Sequence, residues 1–245
     1  MLTTTYTKLF AQAVDTFCVN IIIKRGESAY DEKFTLFYPL IGKDFHINND
    51  LLIYGQASNG WSSKFSPAEV RNKLDEIVQY SISEAKDEGD KCSLEWINEH
   101  WTNKKYNLFR SFFWNVTYKL VKSFYNRTDA NWNNMIAWSN LMKIAPVNGG
   151  NPNQEEINAQ IEYASKLFKK EMEDLAPKNV LIMTNFKKWA EPVLTGAEIQ
   201  YKIINGNFVE AIGDYNGSRI IVTKRGFLSL THNAIIEEIS KYMIK

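Results

Sequence analysis

The sequence is poor in the residues that build disulfide frameworks and metal sites. Its 245 residues include two cysteines, Cys18 and Cys92, and three histidines, His46, His100 and His232. Two cysteines are too few for a disulfide scaffold or a cysteine-based zinc site, and the widely separated histidines form no HExxH pattern. We therefore expect reduced thiols, and neither a metal nor another cofactor.

The chain also lacks a long apolar run and an excess of charge of either sign. No apolar stretch approaches the ~20 residues that a membrane helix needs, and the first residues do not have the layout of a signal peptide. Lysine and arginine number 29 against 28 aspartate and glutamate, which excludes a histone-like protein but not a DNA enzyme with one basic face. These features predict a cytoplasmic protein that does not enter a membrane.

Composition and apolar patterning indicate one folded domain, residues 1–245, of the α/β class. Hydrophobic residues make up 44% of the chain, and no low-complexity tract or long linker divides it. Four short apolar segments have the character of buried strands, and helical patterns separate them. This alternation predicts a three-layer α/β/α domain with a central, mainly parallel four-stranded sheet. The four segments are 51–54, 135–139, 180–183 and 219–223.

Capping and turn signals place the other elements around these strands. Gly26 should end the first helix, and Ser66 with Pro67 should begin the second. A hairpin is predicted where Asn205 and Gly206 separate the strand-like segments 198–204 and 207–212. The spacing of apolar residues predicts helices over 6–23, 67–85, 106–125, 154–175, 186–194 and 231–244.

Ligands of parallel α/β sheets bind at the carboxyl ends of the strands. The candidate site therefore consists of the segments that follow the four predicted strands. Lys187 and Lys188, after the third strand, are candidates either for phosphate contact or for a solvated surface. The segments are 55–61, 140–146, 184–186 and 223–227.

Three of these strand ends carry short motifs in a consistent order. The first strand runs into GQASNGW at 55–61, the second contains AWSNL at 137–141, and TKRG at 223–226 ends the last strand. Their order and spacing resemble the uracil-DNA glycosylase superfamily, in which a strand is followed by GQDPY or a variant, then by an LLLN segment and by a second motif such as HPS. The resemblance covers about 51–245, with an extra helical insertion near 94–125.

The resemblance implies a DNA glycosylase-like hydrolase, which flips a damaged or deaminated base out of DNA and cleaves its N-glycosidic bond. Gly55 and Gln56 would approach the base, and Asn140 would either read its edge or simply cap the strand end. Lys224 or Arg225 would stabilise the departing base. The resemblance implies DNA as the partner, and the remaining substrate-binding positions are Ala57, Asn59 and Trp61.

The chain departs from the family's pattern at the catalytic positions. Ala57 stands where GQDPY has its water-positioning aspartate, Asn59 stands where it has its tyrosine, and Lys224 or Arg225 falls near the second-motif histidine. Because alanine cannot accept a proton, water would attack without a carboxylate base. Three alternatives stay open: a glycosylase that uses a cation, a superfamily member that binds a nucleobase, nucleotide or DNA without cleaving it, and an unrelated α/β protein for a small ligand or a partner protein.

Overall fold

A computed structural model of the chain describes residues 2–48, 51–58, 60–86, 92–103, 107–126, 131–226 and 231–244. Strands and helices alternate along most of these ranges, as the apolar pattern predicts. The strands are β1 (Phe34–Leu36), β2 (Leu40–Ile41), β3 (Leu51–Ala57), β4 (Lys64–Phe65), β5 (Ile136–Met142), β6 (Ile144–Pro146), β7 (Asn179–Met183), β8 (Tyr201–Ile203), β9 (Val209–Tyr215) and β10 (Ser218–Thr223). The helices are α1 (Thr4–Arg25), α2 (Phe45–Asn48), α3 (Pro67–Glu84), α4 (Trp96–Glu99), α5 (Phe112–Phe124), α6 (Gln154–Leu175), α7 (Glu191–Gly196) and α8 (His232–Ser240).

The main sheet is mixed and has the strand order β2-β5-β3-β7-β10-β9-β8. The strands β5, β3, β7 and β10 run parallel to one another. At one edge β2 pairs antiparallel with β5, and at the other edge β9 pairs antiparallel with both β10 and β8. The α/β class is confirmed, but the sheet has seven strands instead of four. The predicted hairpin extends the sheet beyond β10, and β2 is too short to show an apolar pattern.

A second, smaller sheet of order β4-β1-β6 was not predicted from the sequence. Its strands are two or three residues long, which is too short for a period of two to be recognised. It packs with α1 and α3 in an apolar cluster that includes Phe17, Phe34 and Phe65 and is separate from the clusters on the two faces of the main sheet.

Helices cover both faces of the main sheet. Along β3, Leu52 and Tyr54 belong to the apolar cluster that includes α6 and α7, and Leu51 and Ile53 belong to the cluster that includes α5 and α8. This alternation follows from the two-residue period of a strand whose two faces are both buried.

The helix ends follow local signals in the sequence. Gly26 ends α1 with a φ of 73°, and the Glu69 carboxylate accepts from the Ser66 backbone N–H at 2.7 Å at the start of α3. The helix predicted over 106–125 is shorter, because a 3-10 turn at Leu108–Arg110 precedes α5. The segment after β7 begins as a π-helical turn, Phe186–Ala190, before α7.

The hairpin region contains two turns. The predicted Asn205-Gly206 signal lies in the connection between β8 and β9, which pair antiparallel. A tighter turn joins β9 to β10 at Asn216 and Gly217, whose φ angles of 49° and 84° suit a two-residue hairpin.

Candidate functional site

The strand ends carry a cavity of about 410 Å³ beside β3, β5 and the segment after β10. Six positions predicted from the sequence as site residues line it, and they come from three separate parts of the chain. They are Gly55, Gln56, Ala57, Trp61, Asn140 and Arg225. Of the two other predicted site residues, Asn59 lies outside the described residues and Lys224 is not among the residues that line the cavity.

Gly55 of β3 and Asn140 of β5 lie side by side in the cavity wall. The two residues are register partners in the parallel pair, and a Cβ atom built on Gly55 would lie only 2.5 Å from Asn140 Oδ1. Glycine is therefore required here because it leaves room for the neighbouring amide. Asn140 is 1% exposed, so its side chain has little space into which it can move.

Three buried donors of the cavity residues lack a hydrogen-bond acceptor within the described parts of the chain. They are Nδ2 of Asn140 and Nε1 of Trp96 and of Trp138. Buried polar groups almost always have a partner, and leaving one unpaired costs about 1–3 kcal/mol. A site with unpaired donors is suited to a ligand that brings acceptor atoms such as carbonyl oxygens.

The remaining wall is aromatic. The rings of Trp61 and Trp114 meet Trp138 edge to face, with centroids 5.6 Å and 5.0 Å from it, and Phe113 meets Trp114 at 4.9 Å. Such arrangements hold aromatic rings rigidly, and the cavity presents apolar surface to a flat ligand. The sequence analysis assigned no binding role to the other residues that line the cavity, although Gly60 and Trp138 lie within its motifs; they are Gly60, Trp96, Ser111, Phe113, Trp114 and Trp138.

The helical insertion supplies several of the wall residues that were missed. Trp96 lies on α4, and Phe113 and Trp114 lie in the first turn of α5. The density of tryptophan and phenylalanine in residues 96–114 was the available signal, but an amphipathic helix of the core has the same composition.

Arg225 places one positive charge at the rim of the cavity. Its side chain is exposed at one end, and Nη1 donates a hydrogen bond to Oε1 of Gln56. Partial desolvation by the surrounding protein lowers the pKa of Arg225, but a guanidinium stays protonated in proteins. None of the described residues that line the cavity is acidic or a histidine, so the described wall offers a cation and neutral donors but no general base.

Lys224, the alternative cation, turns away from the cavity. Its Nζ donates to the carbonyl oxygens of Gly206 and Asn207, at 3.4 Å and 2.9 Å, in the connection between β8 and β9. Arg225 lines the cavity and contacts Gln56, whereas Lys224 is held by the connection between β8 and β9. Of the two candidate cations, the structure therefore brings Arg225 and not Lys224 to the cavity.

His232 also lies apart from the residues that line the cavity. It is the first residue of α8, which lies within the helix predicted over 231–244, and its side chain is buried. Its Nδ1 is 2.7 Å from Oδ1 of Asn115, a contact within the helical layer.

A second cavity of about 560 Å³ lies between α1, the segment around β2 and the end of α3. It is larger, but none of the described residues that line it has a buried side-chain polar atom without a partner. It also lies away from the carboxyl ends of the parallel strands, so the smaller cavity is the candidate site.

The described residues contain no group of three or more His, Cys, Asp or Glu side chains that could hold a metal ion. None of the helices in the described ranges is long and apolar enough to cross a membrane. No family model matches this sequence, and comparison with curated proteins gives no match. What the cavity can bind therefore follows from its own residues.

Proposed function

We propose that this chain is a DNA glycosylase-like hydrolase, which holds a damaged or deaminated base in the strand-end cavity and cleaves its N-glycosidic bond. One observation carries the proposal: the positions to which the resemblance assigns base binding and leaving-group stabilisation border a single cavity. They are distant in sequence, since Gly55, Asn140 and Arg225 come from the ends of three strands.

The shape and polarity of the cavity support a nucleobase as the ligand. Aromatic walls from Trp61, Phe113 and Trp138 offer apolar surface to a flat ring. Asn140 Nδ2 has no acceptor among the described residues, and a carbonyl oxygen of a base that reaches it would complete its hydrogen bonding. Gly55 allows the backbone of β3 to approach the ring closely.

The chemistry that these residues can support is dissociative. The C1′–N bond breaks with its electron pair passing to the base, which leaves as an anion, and the sugar becomes an oxocarbenium ion. Arg225 at the rim would stabilise the anion, and one such preorganised donor is worth about 3–4 kcal/mol in comparable sites. Water then adds to C1′ and releases its proton to solvent, because the described wall has no carboxylate to accept it.

We also propose that β5, β3, β7 and β10 correspond to the four-stranded parallel sheet of the uracil-DNA glycosylase superfamily. In this proposal β2, β8 and β9 are additions at the two edges, and the segment around α4 and α5 is an insertion that closes one side of the pocket. The parallel, contiguous arrangement of these four strands supports the correspondence.

Phosphate contacts would come from the cations along the same edge. Lys187 and Lys188 are exposed just beyond β7, although Lys187 is paired with Glu191 at 2.8 Å. In this proposal Lys188 contacts the DNA backbone, so binding weakens with salt in proportion to the number of phosphates that are neutralised. A ligand free of phosphate would show no such dependence.

The second candidate function is base or DNA binding without cleavage. It is favoured by Ala57, which lines the cavity where the resemblance calls for the water-positioning acid, and by the lack of any imidazole among the described wall residues. General acid–base groups contribute about 10²–10⁴-fold to rate, so their loss can leave a binding site with negligible turnover.

Base excision from labelled oligonucleotides tests the proposal. The panel contains uracil, hypoxanthine, xanthine and thymine mismatches in single- and double-stranded form, with alkaline cleavage at any abasic site. We expect excision of at least one base, and a strong loss with Arg225→Met but not with Lys224→Met. Binding without excision, measured by fluorescence anisotropy of the same oligonucleotides, would favour the second candidate. Neither binding nor excision would contradict both.

A further inference from the structure

A buried ion pair lies on the face of the main sheet opposite the cavity. Glu171 of α6 is 0% exposed, and one of its carboxylate oxygens is 2.7 Å from Nζ of Lys143, which joins β5 to β6. The Lys143 side chain is also buried, and its desolvation lowers the pKa of the ammonium group while Glu171 raises it. Burying two charges is costly, and an apolar pair of similar size is often at least as stable.

The pair is tied to both strands that form the cavity wall. Tyr54 of β3 donates its hydroxyl to Glu171 Oε2 at 2.6 Å. Lys143 Nζ donates to the carbonyl oxygen of Asn140 at 2.7 Å and also to the hydroxyl of Ser139. One carboxylate therefore links the strand that carries Gly55 to the strand that carries Asn140.

Strand geometry connects this network directly to the site. Tyr54 pairs in register with Ser139, and the next register pair is Gly55 with Asn140. Successive side chains of a strand point to opposite faces, so Tyr54 and Ser139 face α6 while Gly55 and Asn140 face the cavity. If the end of either strand shifts at the network, the adjacent residue of that strand, which belongs to the cavity wall, moves with it.

We propose that Lys143 and Glu171 are positioning residues, which set the spacing of Gly55 and Asn140 and so aim the Asn140 amide into the cavity. The link to ligand binding rests on the proposed function. A positioning role explains why two charges are buried where a hydrophobic core would not need them. Hydrogen bonds fix the direction and distance between groups, whereas apolar contacts do not.

The chain contains a matched control for this role. Tyr6 of α1 donates to the other oxygen of the same carboxylate, Glu171 Oε1, at 2.5 Å, and both tyrosines are fully buried. Tyr6→Phe and Tyr54→Phe remove equivalent hydrogen bonds and keep the ring. Tyr6 lies on a helix outside the site, whereas Tyr54 directly precedes Gly55.

The test measures the site itself and its ligand affinity separately. In ¹H–¹⁵N spectra, the Nδ2 signals of Asn140, assigned with Asn140→Asp, report the cavity wall without any ligand. We expect them to shift with Tyr54→Phe and to stay in place with Tyr6→Phe, although both variants lose similar thermal stability. Affinity for a uracil-containing oligonucleotide should fall about tenfold with Tyr54→Phe, the effect of one misplaced hydrogen bond, and less than twofold with Tyr6→Phe.

The two readouts distinguish failure of this inference from failure of the proposed function. Equal shifts of the Asn140 signals in both variants, or none in either, would overturn the positioning role. A second outcome is that the Asn140 signals shift only in Tyr54→Phe while the wild-type protein binds no oligonucleotide. That result would support the positioning role and contradict the proposed function. The tyrosine pair is used because Lys143→Met and Glu171→Gln each leave a charge buried alone and are prone to unfold.

Discussion

Gly55 and Asn140 are neighbours across the β3–β5 pair, and no Cβ atom fits between them. The atom that such a Cβ would meet, Asn140 Oδ1, belongs to the same amide whose Nδ2 has no acceptor among the described residues. A glycine thus makes room for a buried amide whose Nδ2 no described residue satisfies. This combination is expected of a binding residue and is not needed for a core residue, because folding alone favours a paired or an apolar group there.

Gly55→Ala should displace the Asn140 side chain and weaken binding of a uracil-containing oligonucleotide at least tenfold. The added methyl group should also lower the free energy of unfolding by about 1–3 kcal/mol, as overpacking does in well-packed cores. Gly196→Ala is the matched control, because a Cβ there would lie 2.4 Å from the side-chain oxygen of Ser165. Anisotropy and urea denaturation should show a similar loss of stability in both variants and a loss of affinity only in Gly55→Ala. Equal affinities would contradict a role for the close approach.

Asn140→Leu should abolish ligand binding without lowering the free energy of unfolding. The substitution keeps a branched side chain and removes a buried donor that has no partner among the described residues, which can be neutral or stabilising. Asn115→Leu is the comparison, because that buried amide donates to the carbonyl of Phe109 at 3.0 Å and contacts His232. Urea denaturation should therefore show a loss of about 1–3 kcal/mol for Asn115→Leu only. A similar loss for Asn140→Leu would mean that Asn140 serves the fold instead of a ligand.

Arg225→Met should lower the single-turnover rate of base excision by about 10²–10³-fold, the cost of removing one preorganised donor from a developing anion. Its stability should change little, because the side chain is exposed. Lys224→Met should leave the rate unchanged, since that ammonium is engaged by the Gly206 and Asn207 carbonyls. If the two variants lose activity equally, the excision rate depends on the total positive charge of residues 224 and 225, and the position of Arg225 at the cavity has no special role.

Part of this site could be predicted from the sequence because strands impose simple rules. Buried apolar segments identified β3, β5, β7 and β10, and the strand-end rule then selected the segments that follow them. The resemblance to uracil-DNA glycosylases singled out Gly55, Asn140 and the pair Lys224 and Arg225 within those segments. The choice between Lys224 and Arg225 could not be made, since it depends on the contacts that each side chain makes after β10 ends.

The aromatic wall and the buried ion pair were beyond sequence reasoning for a different reason. Trp96 and Trp114 reach the cavity from an insertion whose packing is set by tertiary contacts, and their helical spacing is that of any buried helix. Lys143 and Glu171 are 28 positions apart and become partners only when α6 packs on β5. The small sheet of β1, β4 and β6 was missed because its strands are too short to show a period.

The two tyrosines that donate to Glu171 make the stability of the fold sensitive to alkaline pH. Burial, and then the negative charge of Glu171, raise the pKa of Tyr6 and of Tyr54 well above the ordinary value of 10. Above about pH 10 the unfolded chain loses these phenolic protons while the folded protein keeps them. The stability they contribute is therefore complete below pH 10 and declines as the pH rises further.

Urea denaturation between pH 8 and pH 11.5 tests this dependence. The wild-type free energy of unfolding should fall above about pH 10, and the Tyr6→Phe and Tyr54→Phe variants should each show a shallower fall. Comparison of each variant with the wild type removes the contribution of Lys143, which is present in all three and whose lowered pKa acts in the opposite direction below pH 10.5. A fall of the same steepness in wild type and variants would show that the phenols titrate alike in the folded and unfolded chains, and that their hydroxyls do not bind Glu171 in solution.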